Sequence, residues 1–593
     1  MGGSGRRLPG VFFWTGLPFP LREAWNPPVP PGKLSALKTP FATLRERFRW
    51  PAALAAGLLW AAAFPKIGLA GLAFLAPGLL LAVAWGTDGR RAFRLGYVAG
   101  AAHYLAALYW LLHIPVAKLA PVTGWLVLSA FLALFPATWV WLCWRCAPGA
   151  RDPGAVNPAT GASGLGPSLR AWSAVPWPQR ALWALACAAL WVAWEMIQAR
   201  IFTGFPWNLL GASQYRQVPL IQVAAYTGVY GVSFFAVWFS VSLLGAGARL
   251  AGGSRDVQLW KSDLALPLLA GVGLLAWGVR AALRPGESGP PVRLALIQPS
   301  IPQRWIWDEQ ESARRFAQLV ALSERALASR PEVLVWPEAA VPRMARWDPE
   351  LNQAITNLAR THQVWMVIGS DDAEPATRPG MARDYEAFNA AFLVSPEGRF
   401  VGGYRKQRLV IFGEYIPLAR WLPFLERWTG MGSFTPGDAP VPFDLPGLRC
   451  RVAPLICFED IFPHGVREHV EDDTDFLVNL TNNGWFGESA AQWQHAASAV
   501  FRAVENGVPL VRCANNGLTC WVDAQGRMHE VFLPGTNDIY GAGFKLVEVP
   551  RRPPGGRVAT PYRRHGDVFG WTCLAWAGLV VVRGWRRCGV AKA

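Results

Sequence analysis

Three short stretches of the chain end on reactive side chains. Val333-Leu334-Val335-Trp336-Pro337-Glu338 reads as an apolar strand that stops at a carboxylate, with Pro337 forcing the chain out of a sheet. Tyr404-Arg405-Lys406 follows the turn Pro396-Glu397-Gly398 and ends on an ammonium. Arg449 to Ile456 runs into Cys457, with Phe458, Glu459 and Asp460 beyond it. A thiol at a strand end can face a cleft while the strand holds its backbone still, which is how a nucleophile is presented. Singly, each group has a plain reading, because free cysteines are mostly buried and inert and Glu and Lys are mostly solvated charges. Jointly, at apolar strand ends, a carboxylate, an ammonium and a thiol can converge on one edge of a sheet. Such a convergence makes Cys457 a candidate nucleophile, with Glu338 and Lys406 as its neighbours. A Cys–His pairing is the weaker reading, since His464 follows Pro463 in a turn and His495 falls in a helix.

The elements around these residues have the texture of an α/β protein from Val292 onward. Strands are expected at Val292–Ile297, Val333–Trp336, Val364–Ile368, Ala387–Val394, Val452–Cys457, Phe476–Leu480 and Pro509–Cys513. Helices are expected at Asp308–Leu327, Glu350–Thr361 and Ala490–Glu505, and a hairpin at Thr519–Asp523 and Met528–Phe532. Continuous apolar strands alternating with helices imply a helix-covered sheet, and paired halves can stack as a four-layer αββα sandwich.

The rest of the chain is of another kind. It is 52% hydrophobic and 16% charged with 32 Trp, which signals a membrane where the apolar residues fall in blocks. They do, at roughly 51–65, 67–86, 94–114, 120–143, 181–198, 219–246, 264–283 and 566–583, and a span takes about 20 residues. The net charge of +17 sits largely in segments flanking these runs, so it orients the chain in a bilayer instead of marking a nucleic-acid binder. If each of about eight runs spans once, Arg90, Arg91, Arg145, Arg180, Arg249 and Arg586 share the cytoplasmic side with the N-terminus. Four regions follow: a basic, Pro-rich cytoplasmic extension (1–50), a seven-span domain (51–284), an outer catalytic domain (285–560) and a last span with its tail (561–593). Arg551, Arg552, Arg557, Arg563 and Arg564 then lie on the outer side, where anionic headgroups can meet them. Glu195 within the fifth run is either functional or paired with Arg200. The nine cysteines show no metal-ligand spacing.

Taken together, Trp336–Ala340 (WPEAA), Tyr404–Pro417 (YRKQRLVIFGEYIP), Pro454–Glu459 (PLICFE) and Asn482–Gly487 (NNGWFG) resemble the nitrilase-like Glu-Lys-Cys domain. More closely they resemble its form in the apolipoprotein N-acyltransferases of the bacterial inner membrane. The likeness extends to Thr203–Trp207 (TGFPW), to Gln298–Gln303 with Trp307, and to Trp493-Gln494-His495. The chain departs from the family at Phe458, where Tyr is common, at Asn483, where Asp is frequent, and at Gln198, where Arg is common.

The resemblance implies acyl transfer in two stages with no cofactor, with Glu338 as general base, Cys457 as nucleophile and Lys406 as oxyanion stabiliser. A phospholipid such as phosphatidylethanolamine acylates Cys457, and the thioester then passes its acyl group to the α-amino group of a diacylglyceryl-cysteine on an apolipoprotein. It implies an inner-membrane protein with its catalytic domain in the periplasm. Glu414 and Glu459 match supporting positions that hold Lys406 or the incoming amine, beside Phe458. Leu418–Gly437, rich in aromatics, reads as a lid at the membrane surface; Trp307, Trp428, Phe434 and Trp485 are the expected lipid contacts. The rival reading is a membrane-tethered amidase with water as acceptor. A non-enzymatic transporter or scaffold would predict a harmless Cys457→Ala.

Overall fold

The computed structural model describes residues 47–116, 119–148, 165–251, 263–284, 289–306, 308–376, 384–416 and 433–590. The segment before residue 47 and most of Leu418–Gly437 lie outside the described residues. From Arg49 onward the chain forms one compact unit.

Among the described residues, four helical stretches are long and apolar enough to cross a membrane: Leu119–Cys146, Trp177–Gln198, Val229–Ala251 and Ala265–Ala282. Several of the other apolar runs are short or broken. The first becomes the 14-residue helix Arg49–Ala62, about 21 Å at 1.5 Å per residue and short of a ~30 Å hydrocarbon core. Residues 67–86 break into a 3-10 turn, Ala70–Phe74, and a helix, Ala76–Ala84, that restarts at Pro77. The third run starts early, at Gly89, because the Asp88 carboxylate accepts from the Arg91 N–H as an N-cap. It passes into a 3-10 turn at Tyr109–His113. The run at 219–246 contains two single turns before the helix Val229–Ala251, with Gly228 at φ 66° as the break. The last run forms the helix Val568–Val590.

The α/β part contains two six-stranded sheets. The first holds β1 (Pro291–Gln298), β2 (Val333–Val335), β3 (Trp365–Pro375), β4 (Tyr385–Val394), β5 (Phe400–Arg405) and, returning from the chain's end, β12 (Gly543–Pro550). Its order is β12-β1-β2-β3-β4-β5, with β1, β2 and β3 parallel and the outer pairs antiparallel. The second holds β6 (Phe443–Leu445), β7 (Cys450–Ile456), β8 (Phe476–Thr481), β9 (Leu510–Ala514), β10 (Cys520–Val522) and β11 (Met528–His529). It repeats the plan, with β7, β8 and β9 parallel.

Alternation along the strands decides what each face covers. Val292, Leu294 and Leu296 of β1 share a core cluster with Val452 and Ile456 of β7 and Val478 and Leu480 of β8, so the sheets bury apolar faces against each other. Ala295 and Ile297 point the other way, into a cluster with Leu319, Leu322, Ile355 and Leu358 from the helices Ser312–Leu327 and Pro349–His362. Ala453, Leu455 and Leu477 of the second sheet pack with Val500 and Val504 of the helix Ala491–Asn506. That cluster continues into Val192, Met196, Ile221 and Tyr230, so one helix joins the sheet to the apolar bundle.

Gln494 on that helix shows how the join is fixed. Its Oε1 accepts from the indoles of Trp110 (3.0 Å) and Trp207 (2.8 Å). Its Nε2 donates to the carbonyls of Pro65 and Ala107. Each hydrogen-bonding site of one buried amide is therefore used, and the TGFPW and WQH motifs meet at this residue. Nearby, Gly204 takes φ 88°, and a Cβ there would lie 2.1 Å from the Ala199 carbonyl oxygen.

Candidate active site

The three strand-end residues come together. Cys457 follows β7 directly and takes φ 54°, a conformation that costs a non-glycine residue of order 1–3 kcal/mol and is held only where its surroundings impose it. Here they do: Asn479 on β8 donates its Nδ2 to the Cys457 carbonyl at 2.9 Å. The Thr481 hydroxyl lies 3.5 Å from Sγ. Glu338 stands three residues beyond β2, and the next residue, Ala339, also takes positive φ, 50°. Lys406 follows β5, its own N–H bonded to the Asn389 carbonyl on β4. Glu338, Lys406 and Cys457 are 7%, 1% and 9% exposed, so their charges interact with little solvent between them.

Glu338 is held through both oxygens. Asn389 Nδ2 (2.8 Å) and Lys406 Nζ (3.4 Å) donate to Oε1, and the Asn482 N–H donates to Oε2 at 2.9 Å. Lys406 also donates to Glu414 Oε1 at 2.8 Å. Burial alone would lower the ammonium's pKa, but Glu414, Glu338 and Cys457 outweigh it and raise it, so Lys406 stays cationic. The Cys457 thiol is pushed up to about 12 by burial and by Glu338, against the pull of Lys406. At neutral pH it therefore keeps its proton, and attack requires a base at hand.

The supporting carboxylates do different jobs. Glu414 holds Lys406, Asn389 and the Val410 N–H, the last two at 2.8 Å. Glu459 does not reach Lys406 by a hydrogen bond. Its carboxylate accepts from the Tyr404 hydroxyl (2.8 and 2.9 Å), the Gln407 N–H (2.8 Å), the Arg408 N–H (3.2 Å) and the Ile456 N–H (2.7 Å). It thus ties the end of β5 in one sheet to the end of β7 in the other. Phe458 places its ring centre 5.6 Å from Lys406 Nζ and packs edge-on against Phe462.

Of the expected lipid contacts, Trp307 and Trp428 lie outside the described residues. Phe434 is half-buried, bonded through its N–H to the Glu414 carbonyl, and lines a cavity with Phe458. Trp485 sits half-buried in the turn Asn483–Phe486 and is not among the residues lining that cavity. Glu195 is not paired with Arg200: it accepts from the Trp191 indole and the Leu210 N–H, while Arg200 pairs with Asp567. His495 is engaged by Asp460 (2.6 Å) and Asn483 (3.0 Å), on its two ring nitrogens.

Two residues escaped the sequence reading. Asn389 joins Glu338 to Glu414 from the middle of β4. Asp371, its cross-strand partner on β3, adds a further carboxylate on the same side. Burial, with Glu338 and Glu414 nearby, pushes Asp371 up to about 7. Among the described residues no cluster of three His, Cys, Asp or Glu is arranged to hold a metal.

Residues 293–535 match the family model for carbon-nitrogen hydrolases, and residues 56–242 match that for the N-terminal domain of apolipoprotein N-acyltransferase. An apolipoprotein N-acyltransferase from Geobacter metallireducens is 36% identical over 545 residues, covering 90% of this chain and 95% of its own. The chain belongs to the apolipoprotein N-acyltransferase family. Another relative of that name, from Chlorobaculum tepidum, is 31% identical over 67% of this chain and 76% of its own. Among solved structures, an amidase from Nesterenkonia sp. AN1 overlaps 44% of this chain and 94% of its own, at 18% identity and a TM-score of 0.31. A likeness of that size adds nothing to the assignment. Membership of the family and the apolar helices together make this a bacterial membrane protein.

Proposed function

We propose that this protein transfers an acyl chain from a phospholipid, by way of a thioester on Cys457, to the α-amino group of the diacylglyceryl-cysteine of apolipoproteins. The observation that carries the reading is a strained strand-end thiol flanked by a held carboxylate and a held ammonium, in a chain of this family. Glu338 takes the thiol proton as Sγ attacks the ester carbonyl of the donor, and Lys406 stabilises the oxyanion of the tetrahedral intermediate. Collapse breaks the ester C–O bond, and the lysolipid oxygen leaves with the proton from Glu338. In the second stage the amine attacks the thioester, Glu338 accepts the amine's proton, and the C–S bond breaks as the sulfur takes that proton, which restores the thiol and the carboxylate. Burial of the site keeps water from the thioester.

The same reading sets the protein in the bacterial inner membrane with about eight membrane segments, two of them short, and the αββα catalytic domain, 285–560, in the periplasm. The basic flanks of the apolar runs support that orientation. The two sheets' shared core, with helices on their outer faces, supports the four-layer arrangement.

The test is mass spectrometry of the full-length protein after incubation with phosphatidylethanolamine. An acyl mass on Cys457 that is lost to an added diacylated lipopeptide is the expected result. Release of the acyl group as free fatty acid, at a rate indifferent to the lipopeptide, would replace this reading with a hydrolase.

A further inference from the structure

Beside Phe458 lies a cavity of about 280 Å³. Its walls are mostly apolar, with Leu409, Tyr415, Phe434, Phe458 and Phe462 beside Gln407 and Pro436, and Thr203 from the apolar bundle also lines it. Lys406 lies across the Phe458 ring, so the cavity adjoins the reactive groups. The residues before Thr203 in the chain, Ile201 and Phe202, are 40% and 72% exposed. An acyl chain suits such walls.

One cation lines this cavity: Arg408. Its backbone is fixed, because its N–H donates to Glu459 and it stands two residues from Lys406. Its guanidinium is different. Among the described residues it has no carboxylate partner and no hydrogen bond, and its contact is the Phe462 ring, 5.7 Å from Cζ. The other arginines nearby are neutralised: Arg200 by Asp567 and Arg502 by Glu505. The His464 imidazole is held down to about 4 by burial first; Arg200 adds to this and Asp567 opposes it, and Arg408 lowers it further.

We propose that Arg408 binds the phosphodiester of the acyl donor, placing the donor's ester carbonyl toward Cys457. This rests on the phospholipid reading given above. The chemistry favours it on two counts. A planar guanidinium presents paired N–H groups that match phosphate oxygens, and mostly apolar walls with a cation that has no carboxylate partner among the described residues complement an amphiphile with an anionic head. The acceptor does not fit the same subsite, since a diacylglyceryl-cysteine carries a basic amine and no phosphate.

The experiment measures acylation of Cys457 in the full-length protein with two donors, phosphatidylethanolamine and the phosphate-free diacylglycerol. Wild type is expected to prefer the phospholipid. Arg408→Gln should erase that preference, lowering the phospholipid rate at subsaturating donor on the order of 10–100-fold, the size of a lost charge-assisted hydrogen bond. Arg408→Lys should recover part of it. Equal preference in wild type and Arg408→Gln would overturn the assignment, as would a loss of equal size with both donors. Inorganic phosphate that slows wild type at saturating lipid, but no longer slows Arg408→Gln, would put a free anion on Arg408 and overturn the lipid assignment. Wild type that forms no acyl-Cys457 at all would sink the functional reading, and this one with it.

Discussion

Lys406 is held by Glu414 at 2.8 Å, closer than the 3.4 Å that separates it from Glu338. In the proposed reaction the ammonium is thus parked on a carboxylate that takes no proton, which leaves Glu338 able to serve the thiol. Glu414→Gln should loosen this arrangement and let Lys406 close on Glu338. Acylation of Cys457 is expected to slow about 10²–10³-fold, as for the loss of an oxyanion donor, with unfolding temperature nearly unchanged. Stopped-time mass spectrometry of the acyl-enzyme checks it, and a rate within threefold of wild type would refute the parking role.

Glu459 is the tie between the sheets at the site, receiving the Ile456 N–H on one oxygen and the Gln407 and Arg408 N–H groups on the other. Glu459→Gln turns one acceptor into a donor facing buried N–H groups, a loss of roughly 1–3 kcal/mol per unsatisfied group. Tyr404→Phe removes one donor only and should cost about 1 kcal/mol. Thermal unfolding in detergent should rank wild type above Tyr404→Phe above Glu459→Gln.

Gly369 on β3 has no room for a side chain: a Cβ would fall 2.3 Å from the Pro337 oxygen and 2.8 Å from the Glu338 Cα. Both contacts are with backbone, so Gly369→Ala must move the segment that carries the base. A 1 Å displacement of a catalytic group can cost about 10²-fold in rate. The expected phenotype is a protein that still folds but acylates Cys457 at least that much more slowly, measured beside its unfolding curve.

Asp371 supplies a pH dependence. Its pKa is raised to about 7, first by burial and then by Glu338 and Glu414, with Arg315 opposing. A carboxyl raised above its unfolded value favours the neutral form in the folded state, so its contribution to stability is lost as pH rises from about 4 through 7. Above pH 7 one more negative charge faces the site where an oxyanion must form. Wild-type activity should fall across this range, and Asp371→Asn should flatten both the activity and stability profiles between pH 6 and 8. Profiles that superimpose would exclude the residue.

The contiguous motifs were legible because each reactive group sits at the end of its own apolar strand, where Glu338, Lys406 and Cys457 announce themselves. Asn389 and Asp371 were not, because each is a polar residue inside a strand, and only the pairing of β3 with β4 sets them side by side. Strand β12 was missed for a related reason: Lys545 occupies a position facing inward, capped by the carbonyls of Thr519, Glu530 and Val531, and breaks the apolar alternation. The apolar runs were found, but their lengths misled. Gly228 ends one helical turn and Pro77 opens a new helix, at points where hydropathy alone carries a single helix through. Gln494 belongs to a visible motif, yet its partners Trp110 and Trp207 are hundreds of residues away and no local pattern links them.

Asn483 stands where the family often has Asp, and the structure places its Oδ1 3.0 Å from His495 Nδ1. On the other side of the ring, Asp460 lies 2.6 Å from Nε2 and also pairs with Arg512, whose Nε and Nη2 have no other partner among the described residues. In this chain Asp460 is the carboxylate beside His495. Its pKa is lowered, since His495 and Arg512 outweigh a burial that acts the other way, so the stability it lends is lost as pH falls through that lowered value. Asp460→Asn leaves a buried guanidinium uncompensated and should cost about 3–5 kcal/mol. Adding Asn483→Asp to that variant returns a carboxylate to His495 but not to Arg512. Partial recovery of the unfolding temperature is expected if His495 is the partner that matters. No recovery would assign the whole loss to Arg512, and with it Asp460 would be a counter-ion for the arginine alone.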